Sequence, residues 1–238
     1  MQSVRVLGVR VDCVDVEGSL AAIESLVRER GRTRLVATVN PEFVMRARSD
    51  PEFARVLESA SLCIPDGQGV VWAARRQGCE MSGPVTGVDL IPPLAALCAK
   101  RGWRMFLLGA APGVADELAK RLRAENPRLE VEAAADDESA ELVRQKRPHV
   151  LLVAFGAPRQ EMWNDRTGRA AGVPVAMGVG GSFDYLTGRV PRAPAWMRRA
   201  GLEWLFRLGR QPWRLKRMAV LPGYAIGVLT QGREGSAP

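Results

Sequence analysis

Apolar residues recur along the chain with two periods. Short continuous runs at Arg34–Val39, Leu62–Pro65, Arg104–Leu108, Val150–Phe155 and Val173–Val179 are closed off by glycine or polar residues, the pattern of strands buried on both faces. Segments with helical spacing lie between them: Leu20–Val27, Glu42–Arg48, Glu52–Ser59, Gly113–Glu125, Ala140–Gln145 and Gln160–Arg169. Arg5–Val14 reads as an N-terminal strand region, Leu129–Ala134 as a further strand, and a helix is expected to begin near Asp66–Gly69. Ser49 ahead of Asp50-Pro51-Glu52 supplies a polar cap, a first-turn proline and early acids, which together start a helix. Strands that alternate with helices of this length imply right-handed crossovers and a mainly parallel sheet covered on both faces. The expected fold class is therefore α/β and Rossmann-like, one domain over residues 1–188 followed by a C-terminal helical basic appendage over 189–238.

Charge supports that division. The 238 residues are 47% apolar and 25% charged, ordinary for a globular chain and unlike a disordered one. The net charge of +8 is not spread over the sequence: residues 1–188 balance 24 Lys and Arg against 24 acids, whereas 189–238 carry ten basic residues against Glu203 and Glu234. Trp196, Trp204 and Trp213 are interleaved there with Arg198, Arg199, Arg207, Arg210, Arg214 and Arg217, on what reads as two helices split at Pro212. Tryptophan favours the headgroup zone and arginine favours anionic lipid, so an anionic membrane surface is the expected partner. The alternative is a basic helix whose tryptophans pack on the core of the domain. Ala219–Leu229 is apolar but interrupted by Pro222 and Gly223 and shorter than the roughly 18 residues that span a bilayer, so it is expected to lie on the membrane. Gln231–Pro238 is expected to fray. Without a basic start, apolar run and cleavage site the chain reads as cytoplasmic; in that compartment Cys13, Cys63, Cys79 and Cys98 are expected to be buried free thiols.

Open parallel sheets bind ligands beyond the carboxyl ends of their strands, so candidate chemistry is sought in the strand-to-helix turns. Gly109-Ala110-Ala111-Pro112-Gly113 follows a strand and opens a helix, where free N–H groups and the helix dipole attract phosphate; the same residues suit a ligand-free tight turn. Asp66, before Gly67, would take a proton from a hydroxyl nucleophile, although its local sequence fits a helix N-cap or an Asx turn better. Thr38 and Asn40 end an apolar strand with groups that would hold a sugar or phosphate oxygen, and Asn before Pro is also a turn opener. Gln160 and Glu161 begin a helix and would bind ligand hydroxyls, while Glu in a first turn also matches the helix dipole. Gly178–Gly181 allow close backbone approach to a ligand or a neighbouring strand.

Other chemistries fit less well. His149 is the only histidine and precedes a buried strand, which argues against a His-dependent triad or a multi-His metal site. No Asp-x-Asp is present, and Asp136-Asp137-Glu138 reads as a solvated turn, so a leaving diphosphate would be stabilised by arginine and backbone donors without an essential metal. A nucleic-acid-binding module would explain the Trp/Arg tail but leaves the polar turns of a charge-balanced domain without a role. A nucleotide-dependent oxidoreductase lacks its Gly-x-Gly-x-x-Gly fingerprint.

Taken in order, Thr38-Val39-Asn40-Pro41-Glu42, Asp66-Gly67-Gln68-Gly69, Gly87-Val88-Asp89-Leu90, Phe106-Leu107-Leu108-Gly109 with Pro112-Gly113-Val114-Ala115, Gly156-Ala157-Pro158-Arg159-Gln160-Glu161, and Arg192-Ala193-Pro194 with Gly201-Leu202-Glu203-Trp204-Leu205 resemble the WecB/TagA/CpsF family of glycosyltransferases, glycosyltransferase family 26. The resemblance runs from about Val6 to Arg217 and departs mildly at Gln211-Pro212, where many relatives have Glu-Pro. It implies inverting, metal-independent transfer of an N-acetylmannosamine-type sugar from a UDP donor to a polyprenyl-diphosphate-linked amino sugar, at the inner face of a bacterial membrane. It places the catalytic base at Asp66, with Thr38 and Asn40 in the active site. Substrate contacts are expected from Gly109, Gly113, Arg159, Gln160, Glu161, Gly180 and Gly181. Diphosphate or membrane contacts are expected from Trp204, Arg207, Arg210, Trp213, Arg214 and Arg217. No cofactor is implied, nucleic acid is not an expected partner, and a second copy of the chain is left open as one.

Overall fold

A computed structural model of the chain describes residues 1–29, 31–135, 140–194, 196–197, 203–210 and 215–232. Its centre is a six-stranded, wholly parallel sheet in the order β4-β3-β8-β7-β5-β6, formed by β3 (Arg34–Val39), β4 (Leu62–Pro65), β5 (Arg104–Gly109), β6 (Glu130–Ala134), β7 (Val150–Ala154) and β8 (Val175–Gly178). Every residue of β3, β4, β7 and β8 is buried, which explains why these strands read as unbroken apolar runs. Alternate side chains feed two cores. Val36, Leu62, Ile64, Leu107 and Met177 face one, against α1 (Val16–Arg28), α5 (Gly87–Arg101) and α6 (Val114–Glu125); Leu35, Ala37, Cys63, Phe106 and Leu151 face the other. That second core is covered by α2 (Pro41–Ala47), α3 (Pro51–Glu58), α4 (Gln68–Arg76) and α7 (Ala140–Lys146).

The α/β, Rossmann-like expectation therefore holds, and the local differences have physical causes. The N-terminal strand region is a hairpin, β1 (Ser3–Val6) paired antiparallel with β2 (Val9–Asp12) through a turn at Leu7-Gly8, both with positive φ. It covers the exposed side of edge strand β4: the buried Asp12 carboxylate accepts from Cys63 N at 2.7 Å, satisfying an edge donor that water cannot reach. The cap of α3 is Asp50 and not Ser49, with Asp50 Oδ1 accepting from Phe53 N at 3.1 Å. The helix expected over Gln160–Arg169 is α8 (Arg159–Trp163) running into a π-helical turn at Asn164–Gly168. Helix α5 was not signalled, because Pro92 and Pro93 lie inside it. His149 is structural, its Nδ1 accepting from Arg104 N at 3.0 Å. Of the four cysteines only Cys63 and Cys98 are buried free thiols; Cys13 and Cys79 are joined in a disulfide, which ties the end of the hairpin to the segment after α4. Sequence spacing had no means of bringing these two together. Asp136–Glu138 and Pro212 lie outside the described residues.

Beyond α9 (Ser182–Leu186) the chain forms α10 (Glu203–Arg210), α11 (Leu215–Met218) and α12 (Leu221–Thr230). Among the described residues no helix is long and apolar enough to cross a membrane. Helix α12 does not simply rest on a lipid surface: Tyr224 and Val228 are buried in the second core, whereas Ile226 and Leu229 are 63% and 58% exposed. Gln231, expected to fray, donates to Arg5 O at 3.0 Å and accepts from Leu7 N at 2.8 Å, pinning the end of α12 to the hairpin. Truncating Tyr224 to alanine removes a ring from a close-packed core and is expected to cost about 3 kcal/mol, read as a lowered urea midpoint with unchanged slope.

Candidate active site

All six strands run the same way, so their carboxyl ends share one edge of the sheet. The chain passes from β4 at one margin across the sheet to β5, and β8 is inserted later beside β3; in open parallel sheets such a switch in direction marks the carboxyl edge as the place where ligands bind. Two clefts, of about 700 and 670 Å³, open at the amino end of the sheet, around Cys13, Ser61 and Leu62 and around Arg10, Thr33 and Arg34. Neither contains a candidate residue.

At the carboxyl edge β3 and β4 are in register through Val39 and Pro65, and Asp66 N donates to Val39 O at 2.7 Å. Asp66 is thereby set beside Asn40, half-buried at the rim. The N-cap of α4 falls on Gly67, φ 93°, and not on Asp66. Asn40 caps α2, its Oδ1 accepting from Phe43 N at 3.0 Å. Tyr224 of α12 buttresses this corner by donating its hydroxyl to Gly69 O at 3.0 Å. The C-terminal helix thus supports the turn that carries Asp66, a link that its own apolar sequence does not signal.

Thr38 crosses the other side of β3. Its hydroxyl is buried and donates to Gly178 O at 3.2 Å, stitching the ends of β3 and β8. Beneath this bond Gln160, 2% exposed, clamps two turns at once: its Oε1 accepts from Gly156 N at 3.1 Å and Gly180 N at 3.0 Å, and its Nε2 donates to Glu161 Oε1 at 2.6 Å. Glu161 is 4% exposed, and its Oε2 is buried without a hydrogen-bond partner. Burial raises its pKa to about 7, against a smaller opposing effect of the Gln160 hydrogen bond. The two side chains occupy the space where a Cβ on residue 178 would sit, 2.4 Å from Glu161 Oε1 and 2.5 Å from Gln160 Nε2. Gly178 is required by that close approach. Gln160 and Glu161 thus form a buried support behind the turns at Gly156 and Gly180.

Four neighbouring strands, β4, β3, β8 and β7, bring Thr38, Asn40, Asp66, Gln160, Glu161, Gly180 and Gly181 to the same stretch of the edge. Gly109 and Gly113 lie further along the edge, at the end of β5, where Gly109, Ala110 and Gly113 all have positive φ (98°, 65° and 80°). Ala110 in that region carries strain. Helix α6 starts there with no side-chain cap, Val114 N turning back to Ala111 O at 3.0 Å. Arg189 reaches this turn, its Nη2 standing 3.8 Å from where a Gly113 Cβ would be, and pairs with Glu117 at 3.5 Å. Arg159 is exposed, its guanidinium 4.7 Å from the Phe155 ring centroid. In the tail Trp204 is 44% exposed and Arg210 stands 5.3 Å over the Phe206 ring. Arg207 and Arg217 lie on α10 and α11 with side chains that are not described, and Trp213 and Arg214 lie outside the described residues.

The edge is a row of polar turns on an α/β sheet, and comparison with known proteins identifies its class. Residues 4–237 match the model of the "Glycosyl transferase WecG/TagA/CpsF family". The chain is 34% identical over 203 residues, 83% of this chain and 79% of its counterpart, to the N-acetylglucosaminyldiphosphoundecaprenol N-acetyl-beta-D-mannosaminyltransferase of Bacillus subtilis (strain 168). It is 32% identical over 237 residues, 96% and 92% of the two chains, to the protein of the same name from Bacillus spizizenii (strain ATCC 23059 / NRRL B-14472 / W23). The chain belongs to the WecG/TagA/CpsF family of glycosyl transferases and is itself a glycosyltransferase, as the ordered turns imply.

Glu161 gives the site a pH signature. Its folded pKa lies above the ordinary 4.5, so the native state holds a proton that the unfolded chain has released. Stability from this group is fully present below about pH 4.5, falls as pH rises towards about 7, and is then lost, by up to about 3 kcal/mol. Glu161→Gln is expected to flatten that slope in urea titrations between pH 4.5 and 7.

Proposed function

We propose that this enzyme moves an N-acetylmannosamine-type sugar from a UDP donor to a polyprenyl-diphosphate-linked amino sugar, in bacterial cell-surface polysaccharide synthesis. The observation that carries the reading is the name shared by the two Bacillus relatives, each of which aligns over more than three quarters of both chains. An acceptor that is an amino sugar on undecaprenyl diphosphate accounts for the basic, tryptophan-bearing segment beside the catalytic edge.

In the proposed reaction Asp66 accepts the proton of the acceptor hydroxyl as the oxygen attacks the anomeric carbon, and the bond to UDP breaks on the opposite face, inverting that centre. A half-buried carboxylate at the rim suits this role, because it is reachable from solvent and fixed through its backbone to β3. Asn40 and Thr38 hold the neighbouring backbone at the sugar site. Arg189 beside the start of α6, with the N–H groups of Ala115 and Gly181, is proposed to receive the departing diphosphate, so the proposed chemistry runs on arginine and backbone N–H groups without a metal. Arg207, Arg210, Arg214 and Arg217 are proposed to serve the diphosphate or anionic headgroups, with Trp204 and Trp213 at the headgroup level. Residues 189–238 would then act as an appendage that holds the domain peripherally at the cytoplasmic face of the membrane, with α12 docked on the domain.

Two measurements test this. Asp66→Asn is expected to lower UDP release with a lipid-linked amino-sugar acceptor by roughly 10²–10⁴-fold, while UDP still raises the melting temperature by mass action; turnover like the wild type removes Asp66 from the base role. The full chain is also expected to bind anionic vesicles and to release them as salt rises; duplex DNA binding with no vesicle binding overturns the membrane assignment.

A further inference from the structure

Two of the ordered sequence segments have no role in the chemistry proposed above: Gly87-Val88-Asp89-Leu90 and Arg192-Ala193-Pro194. Their charged members lie 103 residues apart in sequence and face to face in the fold. Arg192 Nη1 donates to Asp89 Oδ1 at 2.7 Å and Nη2 to Oδ2 at 2.8 Å, a two-pronged pair, with Nη2 also 3.4 Å from Thr86 Oγ1. The carboxylate is fixed before the arginine reaches it: Thr86 caps α5 and donates its hydroxyl to Asp89 Oδ2 at 2.7 Å. The two side chains are 24% and 35% exposed, and Ala193 next along the chain is buried. Forked pairing of this kind fixes direction as well as distance, which a lysine cannot reproduce.

The pair joins the catalytic edge to the tail. On the domain side Val85 N donates to Pro65 O at 2.8 Å, immediately before Asp66. Gly87 lies so close to the Gly178–Ser182 turn that a Cβ there would stand 2.4 Å from Ser182 Oγ. On the tail side the residues just before Arg192 are also held to the domain, Val190 N donating to Asp184 O at 3.1 Å and Arg189 pairing with Glu117 at 3.5 Å. Glu203 and Glu234 are the only acids after residue 188. Arg192 therefore closes the point at which the tail leaves the domain, through an acid that the domain supplies.

We propose that Arg192 is a positioning residue: locked to Asp89, it anchors the start of the tail at the catalytic edge, seats helix α10 through that anchor and so fixes where the tail arginines meet the substrate diphosphate. Its catalytic consequence rests on the sugar-transfer reading; the seating itself does not. Hydrogen exchange on the full chain tests the seating. In Arg192→Gln the amides of Glu203–Arg210 are expected to exchange roughly tenfold faster while those of α5, β3 and β4 keep wild-type rates, with Arg192→Lys in between. The double variant Asp89→Asn with Arg192→Gln is expected to add nothing to the single change, because both remove one interaction. Transfer to the lipid-linked acceptor is expected to fall roughly tenfold in kcat/KM, with UDP binding unchanged. Wild-type exchange in α10, faster exchange spread through α5 and the sheet, or additive single effects would each overturn the proposal. Faster exchange confined to α10, in a chain whose wild type transfers no such sugar, would uphold the seating and refute the sugar-transfer reading instead.

Discussion

Burying a parallel sheet on both faces leaves polar side chains only one kind of place along its strands, the ends. Interior positions of β3, β4, β7 and β8 are sealed between two cores, so functional groups are confined to the turns, and parallel direction collects those turns at one edge. Each later feature follows from that confinement. Thr38, Asp66 and Gly178 are neighbours because their strands are, not because the sequence brings them near.

An edge made of turns is only as well ordered as the bonds that hold the turns together. Here a single buried amide, Gln160, accepts from two of them, and its own orientation is set by a carboxyl group that has lost most of its solvent. Leaving Glu161 Oε2 unpartnered is costly, and a cost of this kind is typical of sites where preorganisation is worth more than stability.

Much of this was legible in sequence. Arg34–Val39 and Leu62–Pro65 match their strands residue for residue, because a run buried on both faces leaves no ambiguity of period. Where the period was mixed, the boundaries moved: α5 with two internal prolines carried no clean signal, and the π-helical turn after α8 cannot be told from an α-helix by spacing. The turns bearing Thr38, Asn40 and Asp66 stood out because they break apolar runs. What stayed hidden were long-range pairings such as the Cys13–Cys79 bond, the Asp12 carboxylate on the edge of β4, and Tyr224 against Gly69. These partners lie far apart in sequence and have no common local pattern. Charge counting found the basic tail but not that its last helix belongs to the core.

The tail is fastened at both of its ends, by Arg192 to Asp89 at the start and by Tyr224 and Gln231 to the domain at the finish. It is therefore a closed loop, and its closure entropy is paid once, when the chain folds. For any group carried on a closed loop, effective concentration at the neighbouring edge depends on the length of the loop rather than on the amount of protein in solution. In the proposed reaction a segment held this way would meet a bound lipid diphosphate as an intramolecular partner.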